Sequence, residues 1–150
     1  MPLPPPIEIV VRGVCISNAR LLVCRNVTRG NVYLPGGHVE WGETSPAALS
    51  REWREELGCD CTPGRFLGIL EQRYGDTCEL GLYFLCTSPT LEATAPTPPP
   101  SSEPHIAFDW LPLADLPTSP LLPADLRTLL PAWLDAPPPP VSPHHAAPPS

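Results

Sequence analysis

Proline decides most of what this chain can fold into. Of the 25 prolines among 150 residues, most fall in three blocks, "PLPPP" at 2–6, "APTPPPSSEP" at 95–104 and "APPPPVSPHHAAPPS" at 136–150. Proline lacks the N–H that a sheet ladder or a helix turn requires, so these blocks read as extended tail or loop. They mark the edges of the folded part and interrupt it once. The expectation is a Pro-rich segment at 1–6, one domain over 7–134, and a Pro-rich, disordered tail at 135–150, with His144 and His145 a solvated pair in that tail. A domain of this length can bury a real core.

Between the proline blocks, strand and helix signals alternate. "IEIVVRGVCIS" and "RLLVCRN" flank the turn-prone "NA" and predict an antiparallel hairpin. "GRFLGILEQRY" and "CELGLYFLC" predict a second one around Gly75 and Asp76. "LGLYFLC", apolar at nearly every position, predicts a strand covered on both faces. "HIAFDWLPL" supplies one more strand, and "PADLRTLLPAWL" repeats apolar residues at helical spacing. The fold class is α/β, a mixed sheet flanked by helices.

The formal net charge of −7 argues against a long nucleic acid as partner, because such interfaces are built from clustered Lys and Arg. A small anionic substrate stays possible where a metal ion or a few Arg residues invert the local field. The first residues carry no basic leader, and no run approaches the ~18 apolar residues of a membrane span. The expectation is a soluble, cytoplasmic protein, monomer or homodimer, with no membrane partner. The six cysteines lie in apolar runs and read as reduced core thiols; Cys59 and Cys61 are two apart but have no second pair to complete a soft-metal site.

The segment from Ser45 to Leu57 predicts a helix, with Thr44 or Ser45 as cap, Pro46 in the first turn and Gly58 as the stop. At ~100° per residue, Leu49, Trp53 and Leu57 share one stripe, and Glu52, Glu55 and Glu56 occupy the neighbouring arc. "REWREE" alone reads as a solvated charged face. The loop in front changes the weighing: Gly36, Gly37 and Gly42 let the backbone approach a ligand closely, and the loop feeds directly into the acidic helix. Crowded carboxylates repel, and a divalent cation removes the conflict; hard oxygen ligands favour Mg2+ or Mn2+ over zinc.

The stretch from Gly37 to Cys59 resembles the Nudix box, Gx5Ex7REUxEExGU with U apolar, through Gly37, Glu43, Arg51, Glu52, Trp53, Glu55, Glu56, Gly58 and Cys59. "YLPGG" before the box and "FDWLPLADL" after it extend the likeness to the Nudix fold over roughly 7–134. The resemblance implies Mg2+-dependent hydrolysis (Mn2+ as a substitute) of a nucleoside diphosphate linked to another group. ADP-ribose and a (d)NTP lead the candidate substrates. It implies metal ligation by Glu52, Glu55, Glu56 and the Gly36 carbonyl, with Glu52 also orienting or deprotonating the attacking water. Arg51 would pair with Glu43 and brace the helix against the loop, and Glu40 is a further candidate beside the site.

"SSEPHIAFDW" resembles a bacterial subgroup with "GGH" at the box and a Glu, His and Trp in this region, which makes Glu103 a candidate for an additional catalytic carboxylate and His105 a candidate for phosphate or base contact. For the nucleobase, Tyr33, Trp41 and Phe84 are the aromatic candidates. Arg25 and Arg73, near strand ends, are candidates for bidentate phosphate contacts. Two other classes stay open: a nucleotide-binding or regulatory Nudix domain without catalysis, and an acidic-helix interaction module.

Overall fold

The computed structural model describes residues 1–136; most of the expected tail, with His144 and His145, lies outside the described residues. Residues 1–6 belong to no element, as the prolines dictate. Strand β1 (Ile7–Val14) is followed after Cys15 by the two-residue β2 (Ile16–Ser17), then β3 (Arg20–Asn26), β4 (Val32–Tyr33) and β5 (Gly36–His38). Helix α1 (Ser45–Leu57) leads into the long strands β6 (Thr62–Tyr74) and β7 (Thr77–Thr87). The short α2 (Pro89–Glu92), a proline-rich loop, β8 (Ile106–Pro112), a 3-10 segment (Leu113–Thr118) and α3 (Leu126–Asp135) complete the chain.

Two sheets result. The mixed one has the order β5-β1-β7-β6, and β1 runs parallel to β7 while the other pairs are antiparallel. The second is antiparallel, with β3 pairing β2, β4 and β8. The first expected hairpin is correspondingly shorter than the sequence suggests. Asn18 and Ala19 turn the chain with positive φ, 49° and 57°, but only β2 continues into the hairpin with β3. Upstream of Cys15 the strand leaves for the mixed sheet, because Ile9 and Val11 find apolar neighbours opposite Leu80 and Leu82 of β7. The second hairpin closes at Gly75, whose φ is 57°.

The helices cover opposite faces of the mixed sheet, giving helix, sheet, helix layers. Leu49, Trp53 and Leu57 of α1 bury against Val11, Phe66, Phe84 and Cys86. Gly13 permits this packing: a Cβ there would stand 2.6 Å from the Trp53 ring. On the other face Leu126 and Leu130 of α3 join Leu67 and Tyr83, and the Trp133 ring lies over Gly68. Among the described residues no helix is long and apolar enough to cross a membrane.

Candidate active site

Helix α1 begins where Thr44 Oγ1 accepts the Ala47 N–H at 3.3 Å and ends where Gly58, at φ 66°, donates its N–H to the Arg54 carbonyl. Two local signals thus fix which residues face the loop. Glu52 and Glu56 turn toward the β5 backbone; Glu56 is only 6% exposed. Its Oε2 accepts the Gly36 N–H at 3.4 Å, and no ion pair reaches it among the described residues. Burial pushes the Glu56 carboxyl up to about 8, with the Arg12 guanidinium opposing and the Glu52 charge adding to the shift. Burial also raises Glu52, against the pull of Arg51.

Glycine is required at both positions of the loop strand. At Gly37 a Cβ would lie 2.5 Å from the Glu52 carboxylate, so the missing side chain is the space that carboxylate occupies. At Gly36, φ is 144° and a Cβ would collide with the Val11 carbonyl. Arg51 ties the loop to the helix. Its Nη2 and Nε donate to the two Glu43 oxygens at 2.7 and 3.1 Å, and Nη2 also reaches the His38 carbonyl at 3.0 Å. The Arg51 fork holds the Glu43 carboxyl below the usual carboxylate range. Nη1 donates to Glu52 at 3.1 Å and to Glu55 at 3.3 Å, and Glu40 stands 3.8 Å away.

The proline-rich loop returns to this helix. Ser102 N–H donates to the Glu56 carbonyl at 3.0 Å, and the next residue, Glu103, pairs with His105 at 3.2 Å. Glu103 is near enough for its charge to add to the upward shift of Glu56.

A cleft of about 760 Å³ opens beside Gly36, Gly37 and Glu56, within the range of small-molecule sites. Tyr33 lines it, its hydroxyl pushed up to about 12 chiefly by burial. The other candidates for substrate contact stand outside this cleft. Trp41 projects fully into solvent, Arg25 pairs with Asp109 at 3.4 Å across β3 and β8, Arg73 lines an adjoining pocket that shares Gln72 and Glu79 with this cleft, and His105 is engaged with Glu103. Phe84 is core, its ring 5.4 Å from that of Phe66. Sequence reasoning missed Arg12. It sits opposite Gly36 in the β1/β5 register, donates Nη1 to the Leu34 carbonyl at 3.2 Å, lies 5.6 Å from the Tyr33 ring centroid and lines the cleft. No carboxylate of the described residues pairs with it; the one available signal was a lone Arg interrupting the apolar strand "IVVRGV".

Among the described residues no three acidic, His or Cys side chains already converge as a metal site. Arg51 stands between Glu52 and Glu55 and donates to both. Cys59 Sγ lies 3.8 Å from Ser88 Oγ. The donor set fits a hard divalent cation: the groups are all oxygens, Glu56 is a buried acid with no ion-pair partner among the described residues, and Gly37 leaves Glu52 room beside it. Glu52, Glu55, Glu56 and the Gly36 carbonyl are the residues that would hold it.

A family model described as the NUDIX domain matches residues 8–133. The chain belongs to the Nudix family. A relative from Mycobacterium tuberculosis, "Putative 8-oxo-dGTP diphosphatase 2", is 33% identical over 122 residues, covering 79% of this chain and 82% of that protein. "8-oxo-dGDP phosphatase NUDT18" from Homo sapiens is 48% identical over 44 residues, which span 29% of this chain and only 14% of that protein. The crystal structure of a MutT protein from Methanosarcina mazei Go1 superimposes with a TM-score of 0.71 at 22% identity, covering 88% and 96% of the two chains, and shows the same fold. The chain is a Nudix pyrophosphohydrolase.

Proposed function

We propose that this enzyme cleaves the pyrophosphate bond of a nucleoside diphosphate linked to another group, with Mg2+ as cofactor and Mn2+ as substitute. A (d)NTP is favoured over ADP-ribose, a preference supported by the relative named for 8-oxo-dGTP. The observation that carries the metal-dependent reading is Glu56, a buried acid that no side chain of the described residues pairs with, beside a cleft of nucleotide size. When bound, a divalent cation neutralises the diphosphate and lowers the pKa of a water. Glu52, packed on Gly37, would orient the attacking water and accept its proton; Glu103, on the loop pinned to α1, would be the additional carboxylate. Arg51 and Glu43 keep loop and helix in register. Arg12 meets the substrate's phosphates from the cleft side. The six free thiols support a reducing, cytoplasmic setting.

The test is turnover of all (d)NTPs, 8-oxo-dGTP, ADP-ribose, dinucleoside polyphosphates and nucleotide sugars, with Mg2+ or Mn2+ and with EDTA. Hydrolysis of a nucleotide that EDTA abolishes is the expected result. Failure to turn over any of them with either metal would move the chain to a nucleotide-binding role.

A further inference from the structure

The cleft has a second charged end that the chemistry above does not use. Glu79 of β7 is 8% exposed and lines the cleft, as do Gln72 and Tyr74 of β6. Gln72 Nε2 donates to Glu79 Oε1 at 2.8 Å and the Tyr74 hydroxyl donates to Oε2 at 3.0 Å. Each oxygen therefore has one partner and keeps acceptor capacity. No Lys, Arg or His pairs with Glu79 among the described residues, so this is a buried acid fixed in orientation by neutral donors. Burying such a group is unfavourable unless further donors reach it.

Glu79, Gly81 and Tyr83 alternate along β7 and share one face of the sheet, and Arg12 is opposite Tyr83 in the parallel register. The Tyr83 ring leans over Gly81, whose Cβ would stand 3.1 Å from the hydroxyl. The result is a cleft with a guanidinium near Gly36 and Glu56, an aromatic surface between, and an oriented carboxylate at the far end. Leu122 and Pro123 form an apolar wall.

We propose that Glu79, with Gln72, reads the base and selects guanine-type over adenine nucleotides. This deepens the functional reading above and rests on the cleft being the nucleotide site. Guanine carries N1–H and an N2 amino group side by side, two donors matching the two oxygens of one carboxylate, and its O6 accepts from an amide such as Gln72. 8-Oxoguanine keeps the same edge. Adenine sets the N1 lone pair beside its amino group, which turns an acceptor toward the carboxylate. Phosphates then lie at the Arg12 end, beside the acidic helix.

The test uses the full chain. Calorimetry without metal compares dGMP, dIMP (which lacks the N2 amino group) and dAMP; steady-state kinetics with Mg2+ compares dGTP and dATP. The wild type is expected to bind dGMP roughly 10-fold or more tighter than dAMP, and several-fold tighter than dIMP. Glu79→Gln should erase most of that preference, with KM for dGTP rising and kcat little changed, because a base contact holds equally in ground and transition states. Tyr74→Phe, which removes only the hydroxyl on Oε2, should move the same ratio less and serves if Glu79→Gln unfolds. Equal binding of dGMP and dAMP, equal binding of dGMP and dIMP, or an unchanged ratio in the variants overturns the proposal. A guanine preference in binding with no hydrolysis of any nucleotide would leave it standing and remove the catalytic reading instead.

Discussion

Arg51 grips Glu43 through both carboxylate oxygens, at 2.7 and 3.1 Å, and so joins the middle of α1 to the loop that precedes it. Paired hydrogen bonds between ions of this planar geometry are the strong kind, and lysine cannot reproduce the fork. Arg51→Lys is expected to lower stability by about 2 kcal/mol and kcat/KM by roughly 10- to 100-fold. Urea unfolding and initial rates read the two effects separately. Wild-type behaviour in both would make the fork an incidental surface contact.

The buried Glu56 makes metal-free stability depend on pH. Its carboxyl titrates near 8 in the folded chain and near 4.5 when unfolded, so between those values the native state holds the extra proton. Stability from this group is fully present below about pH 4.5 and is lost as pH rises toward 8. In EDTA the wild type should therefore lose melting temperature, relative to Glu56→Gln, as pH goes from 5 to 8, and Mg2+ should reduce that loss. Parallel melting curves of the two proteins across the range would remove Glu56 as the cause.

Gly37→Ala separates room for a carboxylate from backbone freedom. The added Cβ would sit 2.5 Å from the Glu52 carboxylate and push it away, while the backbone at Gly37 stays in a region alanine tolerates. A displacement on the order of 1 Å at the reacting centre is worth roughly 100-fold in rate, so kcat should fall by about that factor with the circular dichroism unchanged. Gly36→Ala should instead fail to fold well, since its Cβ meets the Val11 backbone at φ 144°. Retained turnover in Gly37→Ala would mean Glu52 has no fixed role.

Glu103→Gln tests the proline-rich loop. If the carboxylate acts on the metal or the attacking water, kcat should drop roughly 10-fold or more with KM little changed, because the lost interaction strengthens toward the transition state. A rise in KM at constant kcat would reassign Glu103 to substrate binding. Unchanged constants would leave it a half-buried partner of His105.

Much of the site's framework was legible locally. Thr44, Pro46 and Gly58 bound α1 because capping and stopping a helix depend on residues within one turn, and the apolar stripe of Leu49, Trp53 and Leu57 is the buried one. Turns were legible for the same reason. Glu56 departed from the pattern: helical spacing put it on an acidic arc, and the packing of α1 against β5 buried it. Trp41 departed the other way, an aromatic residue whose loop carries it into solvent.

The sequence by itself determined the layer class, the limits and burial stripe of the acidic helix, and the spacing that makes this a Nudix chain, because each follows from interactions spanning a few residues. Only the tertiary structure decided that β1 leaves its hairpin to run parallel to β7, with Ile7 opposite Cys78 and Val14 opposite Leu85. That register brings Arg12 of β1, Glu56 of α1 and Glu79 of β7 onto one cleft. Nothing in their sequence spacing encodes the meeting, since strand partners distant along the chain are chosen by which faces bury together rather than by local backbone preference.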